Sequence, residues 1–235
     1  MENRLCLVSV LCAAYNHEDY IRQALESFLA QETDFDFEIL VNDDASTDGT
    51  AAVIRELSAQ HPGLIRPVFQ ARNQYSQGVD ICADLLYPLA RGKYVALCEG
   101  DDYWCDPQKL HLQAEFLESH PDYTACVHNT SLHFCQEADG DRPLLPSRGD
   151  GDVSFDSVVK GVSNCFHTSS IMARRDIVSR PPDYFYVGKK YGFTDYPEAL
   201  WLISNGPIRY LDRVMSVYRI NSGAVSGNFG NGNIV

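Results

Sequence analysis

Four short apolar runs in the first hundred residues, each followed by apolar residues at helical spacing, constrain this chain more than any other feature. The runs are Leu5–Leu11, Phe37–Val41, Leu64–Phe69 and Tyr94–Cys98. After them come Ile21, Leu25, Phe28 and Leu29, then Val53, Ile54 and Leu57, then Ile81, Leu85, Leu86 and Leu89, and last Leu110, Ala114 and Leu117. Continuous apolar runs suit strands buried on both faces, and 3.6-residue spacing suits the helices that cover them. Strands alternating with helices imply βαβ units with right-handed crossovers. The expected fold is α/β, with a mostly parallel central sheet and helices on both faces. The pattern predicts a helix over Glu18–Ala30, a second capped by Thr47, a third around Ile81–Leu89, and a fourth opened by Asp106 with Pro107 at its first position.

From about Tyr123 the pieces shorten. Thr124–His128, His167–Ala173, Pro207–Leu211 and Arg213–Ile220 read as strands, and Asp195–Ser204 as a helix. A smaller α+β portion packed on the first sheet is expected. We read residues 1–220 as one domain, with halves at about 5–122 and 123–220, a flexible stretch over Gln136–Gly151, and a mobile Gly/Asn-rich tail over 221–235.

Charge removes one class of function. With 19 Lys and Arg against 32 Asp and Glu, the chain carries a formal charge of −13 and has no basic run, so it has no footing for phosphate-held nucleic-acid binding. The eight cysteines form no C-x-x-C pair, and no H-E-x-x-H occurs, which argues against zinc. Cys6 and Cys98 lie inside apolar runs, as reduced core thiols of a cytoplasmic protein do. No apolar run approaches the roughly 18 residues of a membrane span, and Met1–Arg4 opens no signal peptide. Cytoplasmic location is expected, with peripheral contact at the inner face of a membrane left open.

Ligands of parallel sheets bind beyond the carboxyl ends of the strands. Tyr15-Asn16-His17, Asn42-Asp43-Asp44 and Glu99-Gly100-Asp101-Asp102 each follow a run that reads as a strand, so three polar loops converge on one edge. Helix capping accounts for Ser46, Thr47 and Asp48 but not for Asp43. A calcium loop beginning at Asp44 fails, because its twelfth position is Arg55, where a bidentate Glu is needed. A carboxylate just past a buried strand can instead accept a hydrogen bond from a base imide or a ribose hydroxyl. Glu99, Asp101 and Asp102 repel one another unless a cation is present, and hard oxygen ligands suit Mn²⁺ or Mg²⁺. Such a cation would also offset the repulsion between an acidic chain and a diphosphate.

These residues resemble family 2 glycosyltransferases of the GT-A fold. VSVLCAAYNHEDYIRQALESFLAQ resembles the opening strand and helix of the family, EILVNDDASTDGT its first acidic motif, and GKYVALCEGDDYWCDPQKL its metal-binding DXD region. The resemblance implies a metal-dependent, inverting transfer of a sugar from a nucleotide diphosphate-sugar to a hydroxyl of a carbohydrate or lipid-linked glycan acceptor, as in cell-surface polysaccharide synthesis. It implies that Ala14 and Tyr15 flank the nucleotide base, that Asp43 bonds it, and that Asp44 supports that loop. Asp101, with Glu99 or Asp102, would hold Mn²⁺ or Mg²⁺; Glu99 stands where the family usually has Asp. Asn73 and Gly78 fall in its R-N-x-G region, within the longer ARNQYSQG.

Asp195 resembles the second acid of the E-D pair in the family, which makes it the implied catalytic base, with Thr194 at the first position. An ordinary capping box between Asp195 and Glu198 is the structural alternative. Arg219 of Tyr218-Arg219 is read as a fork donor to the diphosphate or as a structural ion-pair partner. His128 and His167 could face the acceptor, and Trp104 and Trp201 could stack on a sugar, although core roles suit all four. The competing functions are a non-catalytic nucleotide-sugar-binding domain and a nucleotidyltransferase; the latter brings a Gly-rich basic loop, which AAYNHEDY is not.

Overall fold

Each apolar run becomes a strand of one sheet in the computed structural model, which describes residues 6–134, 141–161, 165–190 and 195–220. Strands β1 (Cys6–Ala14), β2 (Asp36–Asp43), β3 (Ile65–Phe69) and β4 (Tyr94–Leu97) run parallel in the order β3-β2-β1-β4. The sheet continues from β4 through β9 (Met172–Arg174), β6 (Ala125–Phe134), β10 (Ile208–Ile220) and β5 (Tyr103–Trp104). Two short strands, β7 (Arg142–Pro143) and β8 (Gly151–Asp152), edge β6 and β10. Strands β6 and β10 are parallel, whereas β9 is antiparallel to both β4 and β6 and so joins the two parallel blocks.

Alternate side chains of a strand face opposite layers. Val8, Val10 and Cys12 of β1 face one layer, where α1 (Ile21–Leu29), α2 (Thr50–Gln60) and α3 (Lys109–Ser119) bury Leu25, Phe28, Ile54 and Leu110. Leu11, Leu40 and Leu97 face the other, against Ile81, Leu86 and Tyr87 and against α4 (Phe155–Lys160), α5 (Arg175–Val178), α6 (Asp183–Lys190) and α7 (Asp195–Asn205). Ser9, the one polar residue of the first run, donates a 2.7 Å bond to buried Glu38, which also binds Arg66 at 2.5 Å and Arg91 at 2.8 Å. Full pairing is what makes a buried carboxylate tolerable there.

Several elements differ from the sequence reading. The expected third helix is a π turn over Ile81–Leu86 followed by a 3₁₀ turn over Tyr87–Leu89, where Pro88 has no N–H to continue a helix. Asp48, not Thr47, caps the second helix, its Oδ1 accepting Thr50 N at 2.9 Å. Asp106 closes a turn before α3, its Oδ1 accepting Gln108 N at 3.0 Å. Of His167–Ala173, the part before Met172 is a 3₁₀ turn over Thr168–Ser170. The two expected final strands are one, with its register against β6 shifting near Val214. Within Gln136–Gly151, residues up to 140 lie outside the described ones, while 141–151 pack on β6: Leu144 N donates to Thr130 O at 2.7 Å and Asn129 Nδ2 to Leu145 O at 2.8 Å. The tail 221–235 lies outside the described residues. Among those described, the cysteines are free thiols, and no helix is long and apolar enough to cross a membrane.

Candidate active site

Strands β2, β1 and β4 lie side by side, so the loops after them meet. Asp44 N donates to Ala14 O and Gly100 N to Ala13 O, each at 2.9 Å. Glycine suits position 100, because a β carbon there would come within 2.9 Å of Ile21 Cδ1 and 3.0 Å of His17 Nδ1, which would have to give way. Asn16 and Ala45 take left-handed φ angles of 55° and 61°. Asn16 is anchored there: its N–H donates to Ser46 Oγ at 2.9 Å, and its Oδ1 accepts Thr47 N at 2.8 Å.

Ala14 is buried, and Tyr15 beside it is 43% exposed. Asp43 is 4% exposed, and its Oδ1 is buried without a hydrogen-bond partner among the described residues. An acceptor left so is costly unless a ligand donor reaches it. Asp44 is satisfied, with Oδ1 accepting Gln74 N at 2.7 Å and Oδ2 accepting Tyr75 N at 3.0 Å. It holds the following loop, whose turn Asn73 closes by accepting Ser76 N at 2.7 Å and Gly78 ends at φ +83°. Asn73 and Gly78 thus shape the loop that Asp44 ties to the site.

The third loop concentrates charge. Asp101 has a buried, unpartnered Oδ1, and its Oδ2 lies 3.9 Å from His17 Nε2. Asp102, 1% exposed, accepts Arg219 N at 3.0 Å on Oδ1, while its buried Oδ2 is unpartnered and 3.8 Å from His167 Nδ1. Burial, then the charges of Asp101 and Glu99, pushes Asp102 well above the usual carboxylate range. Glu99 is pushed up to about 8 by the protein closing round it, then by Asp101, Asp195, Asp80 and Glu198. Glu99 is nevertheless exposed to solvent, which weakens both the effect of burial and that of the four charges. Among the described residues no three His, Cys, Asp or Glu side chains are arranged to hold a cation alone. Asp101 Oδ1 and Asp102 Oδ2, buried and without a hydrogen-bond partner among the described residues, are hard oxygen donors of the kind a divalent ion takes, its other positions going to water and substrate phosphates.

Asp195 opens α7 at an exposed position, close enough for its charge to act on Glu99, His167 and Tyr75. Thr194 lies outside the described residues. Glu198 is 9% exposed, and its Oε1 accepts Tyr87 Oη–H at 2.6 Å. The helical face turns it inward, toward the layer that holds Tyr87. Arg219 also turns inward, its guanidinium donating to Asp101 O and Gln23 Oε1.

The histidines part company. His128 is fully buried, whereas His167 accepts Ser169 N at 3.2 Å, stacks on Tyr218 with centroids 4.2 Å apart, and borders Asp102. Trp104 belongs to the core, with Nε1 donating to Ser169 O at 3.1 Å. Trp201 Nε1 donates to Ile177 O at 3.2 Å. Sequence reasoning placed His17 in the first converging loop without giving it a role and missed Asp80, whose charge acts on Glu99. Glu198 and Tyr87 left no local signal.

The family model described as Glycosyl transferase family 2 matches residues 9–177. An uncharacterized Mycobacterium tuberculosis protein, Rv1520, is 36% identical over 90% of this chain, which spans 58% of that relative's length. The Escherichia coli UDP-Glc:alpha-D-GlcNAc-diphosphoundecaprenol beta-1,3-glucosyltransferase WfaP is 30% identical over 94% of the chain and 80% of its own. Among solved structures, Staphylococcus aureus TarS 1–349 with UDP-GlcNAc superposes with a TM-score of 0.69 at 19% identity, over 95% of this chain and 61% of that one. The Pyrobaculum calidifontis mannosyltransferase PcManGT with GDP-Man and Mn²⁺ does so with a TM-score of 0.62 at 17% identity, over 93% and 58%. Strand order, converging acidic loops and these likenesses agree: the chain has the GT-A fold and belongs to glycosyl transferase family 2.

Proposed function

We propose that this chain is the catalytic domain of a metal-dependent inverting glycosyltransferase, which moves a sugar from a nucleoside diphosphate-sugar to a hydroxyl of a carbohydrate or lipid-linked glycan in cell-surface polysaccharide synthesis. The observation that carries this reading is the set of buried carboxylate oxygens without a hydrogen-bond partner among the described residues, Asp43 Oδ1 at the end of β2 and Asp101 Oδ1 and Asp102 Oδ2 on the loop after β4, on either side of β1. Asp43 accepts an N–H of the base, which Tyr15 covers from its open side. Asp101 and Asp102, with Glu99 beside them, hold Mn²⁺ or Mg²⁺, which supplies positive charge to a diphosphate leaving group when bound.

Asp195 is the base. It takes the proton of the acceptor hydroxyl as that oxygen bonds to the anomeric carbon, while the bond from that carbon to the diphosphate oxygen breaks with inversion. Residues up to about 122 form the donor side and 123–220 the acceptor side of one unit, supported by a sheet that runs through both. A cytoplasmic enzyme acting on a lipid-linked acceptor would work at the inner face of the membrane.

The test is a thermal-shift screen of UDP, GDP, dTDP and CMP, each with and without Mn²⁺ or Mg²⁺, because ligands that bind the native state raise its apparent stability. A metal-dependent shift with one diphosphate is expected, with UDP tried first because WfaP and TarS carry UDP-sugars in their descriptions. Folded protein that responds to none of them rules the reading out.

A further inference from the structure

Arg219 is 6% exposed. Its backbone N–H holds Asp102 Oδ1 at 3.0 Å, and its guanidinium donates to the main-chain carbonyl of Asp101 and to Gln23 Oε1 on α1. The rings of Tyr103 and Tyr20 flank it, 4.5 Å and 5.2 Å from Cζ. A planar fork held at two ends and faced by aromatic rings has little freedom to swing. One residue from the last described strand therefore fixes the Asp102 carboxylate through its main chain and the Asp101 main chain through its guanidinium, and ties the loop to the first helix. The bond on Oδ1 sets the carboxylate plane of Asp102 and leaves Oδ2 as its free oxygen.

We infer that Arg219 is a positioning residue for the divalent cation: it sets Asp101 and Asp102 for the ion and makes no contact with the diphosphate. This rests on the metal-dependent reading above. Groups that orient metal ligands without touching the metal typically matter about 10- to 100-fold in metal affinity. Arg219 fits that role through its main-chain N–H on the Asp102 carboxylate and its guanidinium on the Asp101 carbonyl and Gln23, which tie the acidic loop to α1.

The test titrates Mn²⁺ by electron paramagnetic resonance into the full chain with saturating UDP, for wild type, Arg219→Gln, Arg219→Lys and Gln23→Ala, alongside melting curves and binding of UDP and uridine without metal. Arg219→Gln should weaken Mn²⁺ binding about tenfold or more, with metal-free UDP binding unchanged. Arg219→Lys should recover part of the loss, since it keeps the charge but not the fork. Unchanged Mn²⁺ affinity in a folded Arg219→Gln protein overturns the inference. So does weaker metal-free UDP binding with uridine unaffected, because that marks a diphosphate contact. Should Arg219→Gln not fold, Gln23→Ala decides: it frees one arm of the guanidinium, and Mn²⁺ affinity equal to wild type overturns the inference. A wild type that binds no Mn²⁺ with UDP overturns the metal reading itself, an outcome distinct from the variant results.

Discussion

The phenol of Tyr87 donates a 2.6 Å hydrogen bond to Glu198 Oε1, joining residues 111 positions apart inside the protein. It fastens the Ile81–Leu89 turns to α7, the helix that carries Asp195. Burial raises the Glu198 carboxyl to about 7, with the Tyr87 bond acting against the rise and Asp80 and Asp195 adding to it.

Because the folded state holds that proton more tightly than the unfolded chain, Glu198 contributes stability that is fully present below about pH 4.5 and lost as pH rises through about 7. The two values differ by about 2.5 units, which bounds the effect at about 3 kcal/mol. Glu198→Gln, which stays neutral, should match wild type near pH 5 and exceed it at pH 8 in urea unfolding. Parallel stability profiles for the two proteins would show that Glu198 does not titrate in this way.

Asp43→Asn replaces a bare acceptor with an amide that can present N–H to the base. Nucleoside diphosphate affinity should fall about 10- to 100-fold, the range of about 1–3 kcal/mol expected when a buried donor and acceptor no longer match. The melting temperature should hold, since Oδ1 has no internal partner among the described residues to lose. Calorimetric titration measures the affinity, and a variant that binds as wild type removes Asp43 from base recognition.

Asp195→Asn keeps the size of the side chain and abolishes its basicity. Donor binding should stay within about twofold while kcat for transfer drops about 10²- to 10⁴-fold, the usual worth of general base catalysis. Steady-state assays with a saturating acceptor separate the two, and transfer at the wild-type rate would place the base elsewhere.

Ala45 sits at φ 61° on the loop after β2, where a β carbon is strained by roughly 1–2 kcal/mol. Glycine relieves that strain at a smaller entropic cost, so Ala45→Gly should stabilise the chain by up to about 1 kcal/mol and raise Tm by about 2–4 °C. A lower Tm would show that the loop does not hold this conformation in solution.

What could be read from the sequence was the part set by local pattern. Apolar runs marked β1 to β4, and the polar residues directly after them marked the converging loops, because a parallel sheet makes adjacency along the chain into adjacency in space. Pro88 was visible, but its effect on the Ile81–Leu89 segment was not, since apolar spacing there fits a helix and the missing N–H decides against one. Long-range pairing left no local trace. Glu198 at the third place after Asp195 reads as a capping partner, and only the neighbouring layer shows that its Oε1 meets Tyr87. Arg219 likewise reads as an ion-binding fork, and its bonds to Asp101 O and Gln23 appear only in the fold.

Strand β9 has a practical consequence for anyone recombining these proteins. It lies antiparallel along β4, with Tyr94 opposite Arg174 and Ala96 opposite Met172, although it comes from far later in the chain. A fragment ending near residue 122 would leave that flank of β4 as a row of unpaired amides, which recruits other chains. Chimeras meant to change acceptor preference by exchanging the second half must therefore import a strand that mates with Tyr94–Ala96, so the seam of such a graft is a β-ladder before it is a choice of loops.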